Sequence, residues 1–297
     1  MKILVTGSNG GIGRWLTKRL LEAGHSLITT DLQAQKPEEG REHFPGDITD
    51  LSLIRRLVQG VDAVVHLAAI AYDVPGRDDL VLDTNIRGTW NVLLACAEAG
   101  VQRVVNFSSI NALGQAEPHH TGLYLPLDDE IPHFVTRSYF LSKHIGEELC
   151  QAFALRSSIT VVSLRPTAVW HPGSSRDHWW SWLPPEQKEQ IGKNDFFSYV
   201  DVRDVCEAVL LSLVAPVSGH EAFLLTADDT TSDRPSEELV EAFYASLPWP
   251  RISREEYFNG QPYRSLVDCN KAKRVLGWSP KFSRRDPLAG YLGENHG

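Results

Sequence analysis

A tyrosine and a lysine four residues apart form a pair whose spacing could support proton transfer, in the segment Tyr139-Phe140-Leu141-Ser142-Lys143. On a helix the two side chains share a face and lie one turn apart. A phenol has an ordinary pKa of about 10, and a neighbouring ammonium favours its ionised form. The pair therefore predicts Tyr139 as the acid–base group of a reaction and Lys143 as the cation that activates it. A YxxxK in a surface helix would have no such role, so the motifs around the pair decide whether it is catalytic.

A glycine-rich loop near the N-terminus could bind phosphates. Gly7-Ser8-Asn9-Gly10-Gly11-Ile12-Gly13 follows a short apolar run and opens a helical pattern. Without Cβ atoms, such a loop brings backbone N–H groups and a helix N-terminus close to a pyrophosphate. The alternative is a glycine-rich turn without a ligand. The strand–turn–helix context favours a dinucleotide.

The residue that follows the second apolar run indicates which dinucleotide binds. Asp31 stands where a carboxylate would bind the ribose 2′-hydroxyl of NAD and repel the extra phosphate of NADP. Arg14, directly after the last glycine, is the residue that could favour NADP instead. We therefore expect NAD as the cofactor.

The first half of the chain alternates short apolar runs with longer helical patterns. Continuous Val/Ile/Leu runs separated by helices predict a parallel sheet covered on both faces, which is a doubly wound, Rossmann-like α/β fold. The predicted strands are Lys2–Thr6, Ser26–Thr30, Ala63–Leu67, Arg103–Phe107 and Ile159–Leu164. The predicted helices are Ile12–Ala23, Ile48–Gln59, Leu80–Ala99 and Arg137–Arg156.

The composition changes after Arg165, where proline and tryptophan become frequent. We predict a dinucleotide-binding domain over residues 1–165 and mostly a small substrate-binding lobe over 166–297. Some later elements are expected to return to the sheet. The candidates are strands Phe197–Val202 and Ala222–Thr226 and a helix over Val202–Leu213.

The bulk properties limit the class of partner. A net charge of −9 argues against nucleic acid and anionic membranes, both of which need a basic face. The N-terminal apolar run is too short for a signal peptide or a membrane span. The scattered residues Cys96, Cys150, Cys206 and Cys269 predict neither a disulfide framework nor a zinc site, and we expect no metal. A cytoplasmic location fits these features.

Further motifs follow the glycine loop in a definite order. They are Thr6 before the loop, Asp47-Ile48, His66-Leu67-Ala68-Ala69, Asn85-Ile86-Arg87-Gly88-Thr89, Phe107-Ser108-Ser109, the YxxxK pair and the segment from Lys271 to Pro280. Together they resemble the extended short-chain dehydrogenases/reductases, the NAD-dependent epimerase/dehydratase family. The resemblance spans nearly the whole chain. It implies cofactor contacts from the glycine loop and from Asp31, Asp47, Ile48, Leu67, Ala68, Ala69, Asn85, Tyr139 and Lys143.

The resemblance also implies roles at the reaction centre. Ser109 would bind the reacting oxygen, Tyr139 would take its proton while hydride moves to NAD, and Lys143 would also bind the nicotinamide ribose. Substrate contacts are expected from Ser108, Ser109, Asn111, Thr167 and His171. The two long helices 80–99 and 137–156 would form a homodimer interface.

The chain departs from the family's nucleotide-sugar members around the substrate. Ala112-Leu113-Gly114 lacks their tyrosine, Ala168 replaces an asparagine, and Asp195 lies where an arginine is usual. These changes disfavour a diphosphate. We therefore expect an NAD-dependent oxidoreductase of a free sugar, sugar acid or other small hydroxy or carbonyl compound. The alternative is a nucleotide-sugar 4-epimerase or dehydratase. A third hypothesis, a non-catalytic dinucleotide-sensing protein, is disfavoured by the intact Ser109, Tyr139 and Lys143.

Some aromatic and histidine residues admit two interpretations. Trp170, Trp179, Trp180 and Trp182 could stack on a sugar, although packing is the favoured role. His119 and His120 precede Tyr139 and could touch substrate, but a solvated loop is favoured.

Overall fold

The computed structural model describes residues 1–36, 38–172 and 183–286. Within these residues, seven strands form a parallel sheet in the order β3-β2-β1-β4-β5-β6-β9. They are β1 (Lys2–Thr6), β2 (Ser26–Asp31), β3 (Arg41–Pro45), β4 (Ala63–His66), β5 (Arg103–Phe107), β6 (Thr160–Pro166) and β9 (His220–Leu225). The strands β7 (Ala168–Trp170) and β8 (Tyr199–Asp201) pair separately. The predicted Rossmann-like fold is confirmed.

Helices cover both faces of this sheet. They are α1 (Gly11–Glu22), α2 (Leu51–Leu57), α3 (Asp78–Leu82), α4 (Gly88–Ala99), α5 (Ser138–Arg156), α6 (Pro185–Asn194), α7 (Val202–Val214), α8 (Ser236–Phe243), α9 (Arg254–Phe258) and α10 (Asn270–Leu276). Apolar side chains of α1 and α7 form the core on one face, and those of α2, α4 and α5 form the core on the other. None of the described helices is long and apolar enough to cross a membrane.

The strand order reverses at β1, which pairs with β2 on one side and β4 on the other. In an open parallel sheet, ligands bind outside the carboxyl ends of the strands at such a reversal. The glycine loop after β1, Asp31 at the end of β2 and the segment after β4 therefore meet there. The ends of β5 and β6 continue the same edge.

The structure corrects several predicted elements. Strand β3 was not predicted because Arg-Glu-His-Phe-Pro is polar and lacks the apolar alternation of a buried strand. The helix predicted from residue 48 begins at Leu51, because the Asp50 carboxylate caps it by accepting the N–H groups of Ser52 and Leu53. The helix predicted over 80–99 is interrupted by a π-helical turn at Asp83–Arg87.

Later elements pack against the sheet. Strand β9 pairs with β6, and the indole Nε1 of buried Trp278 donates to the Asp204 carbonyl at 2.8 Å. The Asp204 carboxylate accepts backbone N–H groups from Lys281 and Phe282, so the segment after α10 is tied to the start of α7. A domain division at residue 165 stays a prediction.

Trp170 has a packing contact, with its ring 4.8 Å from that of Tyr199. The other three tryptophans of the predicted cluster, Trp179, Trp180 and Trp182, lie outside the described residues.

Candidate active site

Two cavities meet at the carboxyl edge of the sheet, with volumes of about 610 Å³ and 410 Å³. Both are lined by Gly7, Gly10, Leu67 and Ala69, so they form one continuous cleft across the strand reversal. The larger cavity also contains Asn9, Asp31, Asp47, Ile48 and Ala68. The smaller also contains Gly11, Ile12, Gly13, Ser108, Ser109, Asn111, Tyr139, Lys143, Thr167 and His171. The fold thus gathers nearly all of the predicted site residues.

The glycine loop leaves no room for side chains. A Cβ on Gly7, whose φ is +73°, would lie 2.6 Å from the backbone nitrogen of Ala68, and one on Gly13 would lie 2.3 Å from the Gly7 carbonyl oxygen. Helix α1 begins at Gly11, and its N-cap, Gly10, supplies no side-chain hydrogen bond. The first N–H groups of the helix therefore face the cleft without a capping side chain, as a pyrophosphate site requires. This geometry fits a dinucleotide.

The larger cavity has an acidic end suited to a ribose. Asp31 accepts the Asn9 backbone N–H at 2.9 Å, which ties the second strand to the glycine loop. Arg14 donates from Nε to the Asn9 carbonyl at 2.8 Å and also lines this cavity. Asp47 accepts the backbone N–H of Thr49 at 2.8 Å, at the start of the segment that leads into α2. The carboxylate of Asp31 and the cation of Arg14 thus border the same cavity.

Asn85 does not line either cavity. Its amide oxygen accepts the Ile70 N–H at 2.8 Å, and its amide nitrogen donates to the Ile70 carbonyl at 2.9 Å and to Ser142 Oγ at 2.9 Å. The structure therefore does not bring Asn85 to the cofactor directly. It fixes the chain just after Leu67, Ala68 and Ala69, which do line the cleft.

The proposed reaction centre lies in the smaller cavity. Lys143 donates from Nζ to the Phe107 carbonyl at 2.7 Å, at the end of β5, and its nitrogen lies 5.8 Å from the centroid of the Tyr139 ring. Ser109 Oγ accepts the Asn111 N–H at 3.2 Å and is hydrogen-bonded with Tyr139. Tyr139, Lys143 and Ser109 are therefore close enough to act on one substrate atom.

The protonation of this centre differs from the simple expectation for a YxxxK pair. Burial raises the pKa of the Tyr139 hydroxyl, the hydrogen bond with Ser109 opposes that shift, and the Asp73 carboxylate adds to it. Burial also lowers the pKa of Lys143 to about 8. The predicted lowering of the phenol pKa by Lys143 is therefore not seen, because burial is the largest influence on the Tyr139 pKa and raises it. More positive charge in the cleft, as on an oxidised nicotinamide ring, would favour the phenolate.

The two adjacent serines are distinguished by their hydrogen bonds. Ser108 donates from Oγ to Glu147 Oε1 at 2.5 Å, so its proton is directed at helix α5. Ser109 instead bonds with Tyr139 in the cavity. The geometry therefore favours Ser109 over Ser108 as the serine that contacts a reacting oxygen.

The residues predicted to contact substrate border the same cavity, and each has a different neighbour or hydrogen-bond partner. Asn111 accepts from Gln115 Nε2 at 2.7 Å, and buried Thr167 donates to the Leu225 carbonyl at 3.2 Å. The His171 ring lies against the glycine loop, with its Cε1 and Nε2 atoms 3.2 Å from where a Cβ on Gly11 would be. His171 is thus close to the pyrophosphate position as well as to the substrate cavity. His120, in contrast, bonds with the Pro132 carbonyl at 2.7 Å and does not line the cleft.

Two carboxylates that the sequence did not single out hold the start of α5. Asp73 accepts the Tyr139 backbone N–H at 2.7 Å, and Glu117 accepts the Thr136 N–H at 3.0 Å. Both come from loops distant in sequence, so only a chain-wide search for acidic residues could have suggested them. They fix the position of Tyr139 relative to the cleft.

Comparison with known proteins establishes the family. The profile of the NAD dependent epimerase/dehydratase family matches residues 3–225. The chain belongs to this family. The predicted enzyme class, an NAD-dependent short-chain dehydrogenase/reductase, and the predicted cofactor are thereby confirmed.

Similar proteins include enzymes with different reactions and a solved complex with NAD. A 2-alkyl-3-oxoalkanoate reductase of Stenotrophomonas maltophilia is 28% identical over 99% of this chain and 88% of its own length. A uronate dehydrogenase of Pseudomonas syringae is 29% identical over 77% and 76%. The solved structure of the Bordetella bronchiseptica enzyme WbmG in complex with NAD is 25% identical, covers 98% of this chain and 93% of its own, and has a TM-score of 0.69.

Replacing Asp31 with asparagine should weaken the preference of this family member for NAD. The amide keeps an acceptor for Asn9 but removes the charge that repels the NADP phosphate. A hydrogen bond to a charged group contributes about 1.5–3 kcal/mol, so the ratio of kcat/KM for NAD to that for NADP should fall at least about tenfold. Initial rates with both cofactors measure this. Asp79→Asn, on the surface beside Arg77, is the control, and an unchanged ratio in Asp31→Asn would contradict the assignment.

Proposed function

We propose that this enzyme oxidises a hydroxyl-bearing carbon of a small sugar-like compound, such as a free sugar or a sugar acid, with NAD as the hydride acceptor. The observation that carries the proposal is that Ser109, Tyr139 and Lys143 line one cavity with the glycine loop. With NAD bound by the glycine loop, this arrangement would bring a proton acceptor to the nicotinamide end of the cofactor.

Each of the three side chains has a defined task in the proposed reaction. Tyr139 takes the proton of the substrate hydroxyl, and Ser109 holds the same oxygen by a hydrogen bond. Lys143 supplies positive charge beside the phenol. NAD, when bound, accepts the hydride from the adjacent carbon. Since Tyr139 is 8% exposed and Lys143 is half-buried, bulk water has limited access to the proton transfer. Reduction follows the same path in reverse.

The lining of the smaller cavity supports a substrate without a diphosphate. Lys143 is the sole lysine or arginine among its described lining residues, and Asp195 contributes a carboxylate. Phosphate groups are usually bound by several charge-assisted hydrogen bonds, mainly from Arg and Lys. Ala168 also lines this cavity, at the position where the resemblance to nucleotide-sugar members implies an asparagine. The likeness to a uronate dehydrogenase agrees with a free sugar acid.

A second candidate is a nucleotide-sugar epimerase, in which the hydride returns to the opposite face of a ketone intermediate. It uses the same three residues, and a UDP-glucose 4-epimerase of Vibrio cholerae is 26% identical over 94% of this chain. A dehydrogenase releases one NADH per substrate oxidised, whereas an epimerase forms no net NADH. A purely dinucleotide-sensing protein would do neither.

The test is a substrate screen that measures NADH absorbance. Free sugars, uronic and aldonic acids and UDP-sugars are offered with NAD, and product isomers are followed by chromatography. Stoichiometric NADH with a free sugar or sugar acid supports the proposal. Isomerisation of a UDP-sugar without net NADH would replace it with the epimerase.

We also propose that the enzyme works as a homodimer in the reducing cytoplasm. Helices α4 and α5 pack side by side and expose Trp90 and Leu155, which are 39% and 78% accessible. Arg156 lies over the Trp90 ring at 5.2 Å. Burial of this face against a second copy would remove these apolar groups from water. Sedimentation of the 33.2 kDa chain at its monomer mass would contradict the dimer.

A further inference from the structure

A buried carboxylate, Glu147, lies directly behind the proposed reaction centre. It follows Lys143 by one helical turn on α5, and its side chain is 5% exposed. We propose that Glu147 is a positioning residue, which holds the end of β5 that carries Ser109 and stabilises the charge of Lys143. This inference rests on the proposed function, because it requires Lys143 to take part in the reaction.

The first support is a double attachment between α5 and the end of β5. Lys143 donates to the Phe107 carbonyl at 2.7 Å, and Glu147 accepts the Ser108 hydroxyl at 2.5 Å. These attachments hold the two residues that immediately precede Ser109. The position of the Ser109 hydroxyl relative to Tyr139 therefore depends on both side chains.

The second support is that Glu147 is held as an anion. Arg165 binds it through two parallel hydrogen bonds, from Nε to Oε1 at 2.9 Å and from Nη2 to Oε2 at 2.6 Å. Burial favours the neutral acid, but the hydrogen bonds from Arg165 and Ser108 hold the pKa of Glu147 below its ordinary value. A buried negative charge thus persists one turn from Lys143.

The third support concerns the groups that face Lys143. They are Glu147, Cys150 and Tyr139 on α5 and His66 on β4. Burial lowers the pKa of His66 to about 3 and raises that of Cys150, so both are neutral near pH 7. Burial also raises the pKa of Tyr139, which is therefore a neutral phenol before NAD is bound. Before NAD binds, Glu147 is thus the one of these four groups that carries a charge. The charge of Glu147 raises the pKa of Lys143 and so opposes the lowering caused by burial.

A matched control is available in the same cluster. Asp129 accepts from Arg165 Nη1 at 3.2 Å and from the Leu224 N–H of β9 at 2.9 Å. It is as buried as Glu147 and shares its cationic partner, yet no contact of Asp129 involves Lys143 or Ser108. Removing its charge disturbs the same ion cluster without touching the proposed positioning contacts.

The experiment compares the pH dependence of kcat in Glu147→Gln, Asp129→Asn and wild type. Because the proposed reaction needs a protonated Lys143, whose pKa burial lowers to about 8, we assign the high-pH limb to loss of its proton. Since the Glu147 charge raises the pKa of Lys143, its removal should move this limb to lower pH by about one unit and lower the maximal kcat about tenfold. Asp129→Asn should keep the wild-type limb even if its melting temperature falls. A purely structural role for Glu147 would lower stability in both variants and move neither limb.

Two further variants make every result decisive. Glu147→Gln combined with Arg165→Met and Asp129→Asn removes the whole buried ion cluster, so neither an unpaired Arg165 nor an unpaired Asp129 remains to prevent folding, and the limb should still move. If the high-pH limb stays at the wild-type pH in both Glu147 variants, the positioning role is overturned.

Lys143→Met tests the proposed function separately. If Lys143→Met still turns over substrate, the proposed function is overturned. If Lys143→Met is inactive but the high-pH limb does not move in the Glu147 variants, the positioning role of Glu147 alone is overturned.

Discussion

Replacing Tyr139 with phenylalanine should reduce kcat about 10³-fold, within the 10²–10⁴ range of general acid–base catalysis. The ring packs with Val81 and Phe140 in a small apolar cluster, and phenylalanine fills the same space. Only the hydroxyl that bonds with Ser109 is lost. Binding of NAD should stay within about twofold of wild type, because the glycine loop and the larger cavity are unchanged and independent distant sites behave additively.

The measurement pairs steady-state turnover with calorimetric titration of NAD. Tyr72→Phe supplies the same chemical change at a side chain that is 67% exposed, and it should keep wild-type kcat. A melting curve shows whether each variant is folded. Turnover of Tyr139→Phe above a tenth of the wild-type rate would show that another group accepts the proton.

The main features of the fold follow from local patterns in the sequence. Continuous apolar runs such as Ala63–His66 form buried strands, and helices connect most of them across the faces of the sheet. Parallel strands place their carboxyl ends on one edge, so the glycine loop and the YxxxK helix meet although more than a hundred residues separate them. Motifs that depend on one turn or one helix face could therefore be assigned before the structure was known.

Other features depend on contacts that sequence spacing does not encode. Strand β3 lies at the sheet edge, where pairing with β2 alone allows a polar sequence. Asn85 belongs to a family motif, yet its side-chain amide accepts the Ile70 N–H and holds that segment instead of lining the cleft. Ser108 and Ser109 are chemically identical neighbours, and only the positions of Glu147 and Tyr139 distinguish their hydroxyls.

The protonation of the reaction centre is the clearest limit of sequence reasoning. A four-residue spacing predicts that Lys143 lies near Tyr139, but it gives no information on how much water reaches either group. Burial raises the pKa of the phenol and lowers that of the ammonium, which is opposite to the shifts expected for an isolated ion pair. The charges that offset burial come from residues such as Glu147, whose effect depends on tertiary packing.

Replacing Gly13 with alanine should weaken NAD binding at least about 100-fold, because the pyrophosphate site is built from backbone N–H groups that must then move. The new Cβ would lie 2.3 Å from the Gly7 carbonyl oxygen and 2.8 Å from the Ser8 carbonyl carbon. Those atoms are backbone and cannot rotate away. Gly7 itself is fixed by its N–H bond to the Thr30 carbonyl at 2.9 Å and by close contact with Ala68.

Helix propensity alone predicts the opposite result for Gly13, since alanine is favoured over glycine in a helix by about 1 kcal/mol. Gly146→Ala separates the two effects. Gly146 lies within α5, and a Cβ there meets no atom within 4 Å, so this variant should bind NAD normally and melt at the same or a higher temperature. Titration of NAD into both variants measures the difference. Wild-type affinity in Gly13→Ala would mean that the loop does not form the pyrophosphate site, because the loop conformation depends on the close approach of the Gly7 carbonyl to Gly13.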